Sequence, residues 1–176
     1  LCHEPDHRQD MRTLATRIYR EWLRAVGPSH ATDAATTLLV AACDEKGHVR
    51  TWQLGDGLVL VRRGSDVCSL TPPRIGFSNE TRALGIDKSW GAWSTHEFEL
   101  SKPGDLVVLM TDGVADELEP SLLPTFPQAL YRHLSRCSRR RARQWLKHEL
   151  THWATPGHSD DKSLALILKK GKSHGC

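Results

Sequence analysis

Apolar residues recur every third or fourth position from His7 to Val26, at Met11, Leu14, Ala15, Ile18, Tyr19, Trp22, Leu23 and Val26. That spacing predicts one buried face of a helix, with Asp6 as its N-cap and Gly27-Pro28 as its stop. The pattern then changes to short apolar runs. Residues 36–43, 48–54 and 58–62 predict three strands, with Asp44-Glu45-Lys46-Gly47 and Gly55-Asp56-Gly57 as the turns between them. Connections this tight predict neighbouring antiparallel strands. Residues 64–93 lack a clear period and are punctuated by Pro72-Pro73, Gly76 and Gly85, so they read as a flap or substrate-side excursion.

Strand signals resume at 93–100. An uninterrupted apolar run follows from Leu106 to Met110, short enough for a buried strand and entered through the turn-like Lys102-Pro103-Gly104-Asp105. It ends in Thr111-Asp112-Gly113, which delivers a carboxylate to the rim of a sheet beside a residue that allows close approach. Residues 128–134 and 139–153 predict helices, the second from the stripe Ala142, Trp145, Leu146, Leu150 and Trp153. Thr155-Pro156-Gly157 ends it. The polar stretch His158-Ser159-Asp160-Asp161-Lys162 leads to a last strand at 163–168, and 169–176 is expected to be a tail.

The length of 176 residues suits one domain, 1–176, with a hydrophobic core. No apolar run approaches the roughly 18 residues of a membrane span, and LCHEPDHRQD is no signal peptide. Position 1 is Leu, and the N-terminus is taken as incomplete. Cysteines at 2, 43, 68, 137 and 176 form no Cys-x-x-Cys pair, which points to free thiols and a reducing, cytoplasmic setting. A formal charge of +3 does not call for nucleic acid.

Asp112 follows one apolar strand, and Asp160 or Asp161 precedes another. If those strands are adjacent and antiparallel, the carboxylates meet at one rim, where hard ions such as Mg2+ and Mn2+ take oxygen ligands. Four blocks occur in order: ATTLLVAA from Ala35, the Gln53-Leu54-Gly55-Asp56-Gly57 turn, LMTDGVAD from Leu109, and SDDKSLALI from Ser159. Together they resemble the metal-dependent serine/threonine protein phosphatases of the PP2C (PPM) family, in their compact bacterial form. Phe77-Ser78-Asn79-Glu80-Thr81 is similar to the substrate-side region of the bacterial form.

The resemblance implies an α/β (α+β) fold, a four-layer αββα sandwich with two largely antiparallel sheets, N-terminally incomplete here. It implies two Mn2+ or Mg2+ ions at one rim and hydrolysis of phosphoserine or phosphothreonine in proteins by a metal-activated water, without a phosphoenzyme. By motif, Asp112 and Asp160 resemble metal ligands, Asp161 is a weaker candidate, and Asp56 resembles the acid that lies near the metals through water or a further ion. A phosphorylated protein substrate and a serine/threonine kinase system are the implied partners. The family's opening Asp-Gly-x-Gly-Gly block has no counterpart in this sequence. Activity is therefore expected of the intact parent and this chain alone is expected to be impaired, with a non-catalytic binding or regulatory module as the alternative.

His148-Glu149-Leu150-Thr151-His152 is a literal His-Glu-x-x-His match, with His158 six residues beyond, and opens a zinc peptidase alternative. Thr155 stands where the similar metzincin pattern has glycine, and no methionine follows the motif. Arg136, Arg139, Arg140, Arg141, Arg143 and Lys147 form a basic cluster, read first as a solvated face and otherwise as an attractor of an acidic partner, the phosphate of a substrate protein or, least of all, nucleic acid. Trp22, Trp145 and Trp153 fit core stripes, whereas Trp90 and Trp93 are candidates for lining a peptide groove. No Gly-x-Ser-x-Gly elbow or Walker loop competes.

Overall fold

A computed structural model describes residues 7–72, 82–153 and 160–171. Helix α1 (His7–Val26) comes first, followed by β1 (Leu38–Cys43), β2 (His48–Leu54), β3 (Leu58–Arg63) and β4 (Asp66–Ser69). Next come β5 (Ser94–Glu99), β6 (Leu106–Met110), the single turn α2 (Asp112–Ala115), α3 (Phe126–Leu134), α4 (Arg139–His152) and β7 (Leu164–Leu168). All strand pairs are antiparallel, in one sheet of order β1-β2-β5 and another of order β4-β3-β6-β7.

Burial on both faces explains the unbroken apolar runs. In β6, Val107 and Leu109 point to the other sheet and cluster with Val59 and Val61 of the neighbouring β3, Val49 of β2 and Leu100. The alternate residues Leu106, Val108 and Met110 pack against Leu130 and Leu134 of α3, with Trp145, Leu146 and Leu150 of α4 beside them. On the outer side of the first sheet, Trp52 of β2 packs against Met11 and Ala15 of α1 and donates its indole N–H to the Met11 carbonyl at 2.9 Å. The result is the αββα layering that the sequence resemblance implies.

Three expectations are revised. β2 and β3 are not neighbours: β2 pairs with β1 and β5, and β3 with β4 and β6. Gly55 and Gly57, with φ of 96° and 94°, carry the chain from one sheet to the other. A Cβ at Gly55 would stand 2.5 Å from the Arg82 carbonyl oxygen, and one at Gly57 2.7 Å from that of Met110, so both positions require glycine. β3 is apolar on both faces and needs a sheet in front and helices behind, which only the layer holding β6 offers.

The stretch 64–93 also contains a strand, β4, short and mostly exposed along one edge, which hides its pattern. Its residues 73–81, including Phe77-Ser78-Asn79-Glu80-Thr81, lie outside the described residues, as do Asp6 and Thr155-Pro156-Gly157. Among the described residues Trp90 and Trp93 are packing residues rather than a peptide platform. Their rings stack at 6.4 Å and 22° and pack with Leu14 and Val40 onto the cluster of Met11, Ala15 and Trp52. Cys43, Cys68 and Cys137 are free thiols. Among the described residues no helix is long and apolar enough to cross a membrane.

Candidate functional site

One rim of the second sheet collects the acidic residues. Met110, the last residue of β6, is in register with Leu58 at the start of β3 and with Leu164 at the start of β7. Asp56 precedes β3, Asp112 follows β6, and Asp160-Asp161 precede β7, so the ladder itself brings all four to one edge.

Beyond the ladder, β6 and β7 stay joined. The Thr111 amide donates to the Ser163 carbonyl at 3.1 Å, and the Ser163 amide donates to Thr111 Oγ1 at 3.0 Å. The Thr111 hydroxyl in turn donates to the Asp161 carbonyl at 3.1 Å. Asp112 opens α2, and its Oδ1 accepts the Gly113 amide at 2.9 Å. Gly113 is buried against the facing loop: a Cβ there would lie 2.6 Å from the Asp161 carbonyl oxygen and 3.1 Å from Asp160 Cβ. The structure thus brings Asp112 and Asp160-Asp161 together as backbone neighbours, with Asp112 half-buried and the other two exposed.

Asp56 is on the same rim, one strand further along. Two residues to which the sequence reading gave no role hold its turn. Gln53, 4% exposed, donates through Nε2 to the Gly55 carbonyl at 3.1 Å and accepts the Thr71 hydroxyl at 3.0 Å, while Thr71 Oγ1 takes the Val59 amide at 2.8 Å. A glutamine two residues before Gly-Asp-Gly, on the same face of β2 as Val49, was the available signal.

The donor chemistry fits hard divalent ions: the rim offers carboxylates, and Gly113 keeps the approach between Asp112 and the 160–161 backbone free of a side chain. Among the described residues, however, no group of three or more His, Cys, Asp or Glu side chains closes around one point.

A cleft of about 970 Å³ runs between α4 and β7 and ends at Asp160, Asp161 and Lys162. Leu146, Leu150 and Leu166 form part of its wall, and Arg139, Arg143 and Lys147 bring part of the basic cluster along it. Ser138 caps α4 by accepting the Arg141 amide at 3.4 Å. Of the His-Glu-x-x-His motif on α4, Leu150 and Thr151 line the cleft, whereas His148, Glu149 and His152 do not. The rings of His148 and His152 stack on each other at 4.1 Å, His152 Nδ1 is 2.8 Å from the His148 carbonyl, and both rings are exposed. His158 lies outside the described residues.

The sequence pattern of the protein phosphatase 2C family matches residues 2–151. The chain belongs to that family. As a PP2C-family chain it shares its fold with solved bacterial phosphatases. It is 20% identical to PppA, a key regulatory component of T6SS in Pseudomonas aeruginosa, with a TM-score of 0.58, covering 92% of this chain and 69% of that one. To the S. agalactiae serine/threonine phosphatase it is 14% identical, with a TM-score of 0.60, covering 90% and 70%. A variant of a bacterial serine phosphatase gives 16%, 0.59, 96% and 69%. At these identities the likeness concerns the fold. The chain spans 61% of the phosphatase domain of SpoIIE from Bacillus subtilis. No curated protein matches the chain.

Proposed function

We propose that the protein to which this PP2C-family chain belongs hydrolyses phosphoserine and phosphothreonine in proteins in a metal-dependent reaction, and that residues 1–176 form part of that single catalytic domain. The observation that carries the proposal is the meeting of Asp112 with Asp160-Asp161 at one rim, across a glycine that admits no side chain. In this reading Asp112 and Asp160 would hold Mn2+ or Mg2+, with Asp161 and Asp56 as outlying acids. When bound, such ions supply a water of lowered pKa and offset charge developing on phosphate oxygens.

The chain's own residues fix the geometry. The β6–β7 register sets the spacing of Asp112 from Asp160, and Gln53 and Thr71 hold the Asp56 turn. Arg143 and Lys147 along the adjoining cleft attract a phosphorylated, acidic segment toward the rim. A phosphorylated protein substrate and a serine/threonine kinase system are the partners this reading implies. The free thiols Cys43, Cys68 and Cys137 accord with a reducing, cytoplasmic setting.

A second reading, a non-catalytic binding module, draws on the same rim, because its described donors form no three-membered group. Release of phosphate from a phosphothreonine peptide, measured with Mn2+ and with EDTA for this chain and for a longer parent, separates the two. Mn2+-dependent release by the parent supports the hydrolase. Silence of both, with folding verified, overturns it in favour of the binding module.

A further inference from the structure

Lys162 follows directly on Asp160-Asp161, yet its ammonium does not lie out among them. It is turned inward, with its side chain 11% exposed, and its Nζ is 3.0 Å from Oε1 of Glu117, whose side chain is 1% exposed. Glu117 comes just after α2, the turn that begins with Asp112. The contact is a buried ion pair. A buried charge is retained only against an opposite one, since its desolvation would otherwise expel it to water.

Two kinds of contact therefore hold the acidic loop. Thr111 and Gly113 meet it through the Asp161 and Ser163 backbone, as an extension of the β6–β7 ladder. The Glu117–Lys162 pair meets it through side chains and settles where its cation goes. An ammonium on a lysine stem could reach the neighbouring carboxylates and neutralise them. Buried against Glu117, it cannot.

We infer that Glu117 is a positioning residue for the acidic rim: it draws Lys162 into the interior, which pins the 160–163 loop against the end of α2 and leaves Asp160 and Asp161 with their charge available to a cation. The role in cation binding rests on the proposed hydrolase reading; the placement of the loop does not.

Amide hydrogen exchange of this chain tests the placement, comparing wild type, Glu117→Gln and the double variant Glu117→Gln with Lys162→Met. In Glu117→Gln the buried ammonium loses its counter-charge and swings out, and exchange over residues 160–164 rises by about tenfold while that of β1 and β2 stays unchanged. The double variant removes both charges and returns exchange over 160–164 to within about twofold of wild type. Unchanged exchange in Glu117→Gln, or a double variant as loose as the single one, overturns the inference. Should Glu117→Gln fail to fold, its contrast with the double variant decides: a double variant that folds with a protected loop shows that the uncompensated Lys162 charge is what displaces the loop, and one that also fails to fold or leaves the loop unprotected rejects the inference.

Mn2+ binding, followed by the loss of the free-ion paramagnetic resonance signal, tests the charge. Weakening by about threefold or more in Glu117→Gln, recovered in the double variant, supports the inference. Equal affinity in all three contradicts it. Absence of Mn2+ binding in wild type overturns the metal reading, while the exchange experiment still decides the role of Glu117.

Discussion

Gly113 is seated against the backbone of Asp161 so closely that a Cβ on it would stand 2.6 Å from the Asp161 carbonyl oxygen. The obstacle is backbone, which cannot rotate away as a side chain would. Gly113→Ala is therefore expected to push the 160–161 segment off the rim, at a cost of about 1–3 kcal/mol in urea unfolding. A variant as stable as wild type would show that the loop yields freely.

Trp52 links α1 to the first sheet. It is 2% exposed and carries a hydrogen bond to the Met11 carbonyl. Trp52→Ala is expected to cost about 3–5 kcal/mol, and Trp52→Phe less, because the ring volume is largely kept and only the indole N–H partner is lost. Urea midpoints of the two variants check the order.

Asp105 secures the end of β6 remote from the site. Only 1% exposed, it accepts the amides of Gly64, Ser101 and Lys102 at 2.8, 3.0 and 2.8 Å. Asp105→Ala leaves three part-buried amides without their acceptor and is expected to cost about 1–3 kcal/mol, read from the same unfolding curves.

The β1–β2 turn gives a pH signature. Asp44 Oδ1 accepts the amides of Lys46, Gly47 and His48, and Oδ2 faces His48 Nδ1 at 3.0 Å. Desolvation pushes its carboxyl up, but the hydrogen bonds from the His48 amide and ring, attraction to that ring and the Lys46 amide outweigh it, and it sits below its ordinary range. A carboxyl held low in the fold stabilises it above the unfolded value, about pH 4, and that contribution fades as pH falls through the folded value. Thermal unfolding of Asp44→Asn should accordingly lose less stability than wild type on acidification below about pH 4.

Much of this arrangement is legible in the chain because burial writes itself into composition. β6 is apolar on both faces, so its run from Leu106 to Met110 and its acidic end stand out, and β7 repeats the pattern in reverse. The Gly55-Asp56-Gly57 connection is less transparent. Two positive-φ glycines around an aspartate serve a hairpin or a crossing between sheets equally well, and only the needs of β3 on both its faces decide between them. β4 is missed because an exposed edge strand need not be apolar. The Glu117–Lys162 pair leaves no trace at all: neither residue is part of a periodic stripe, and a buried ion pair between distant segments has no local pattern.

Whether the rim carboxylates act together on a phosphate ester is tested most directly by a double-mutant cycle in the longer parent. The measurement is Mn2+-dependent release of phosphate from a phosphothreonine peptide by wild type, Asp112→Asn, Asp160→Asn and the double variant. The account predicts a loss on the order of a hundredfold or more in each single variant, and little further loss in the double, because the two carboxylates serve one centre. Asp112→Asn turning over at the wild-type rate would contradict it.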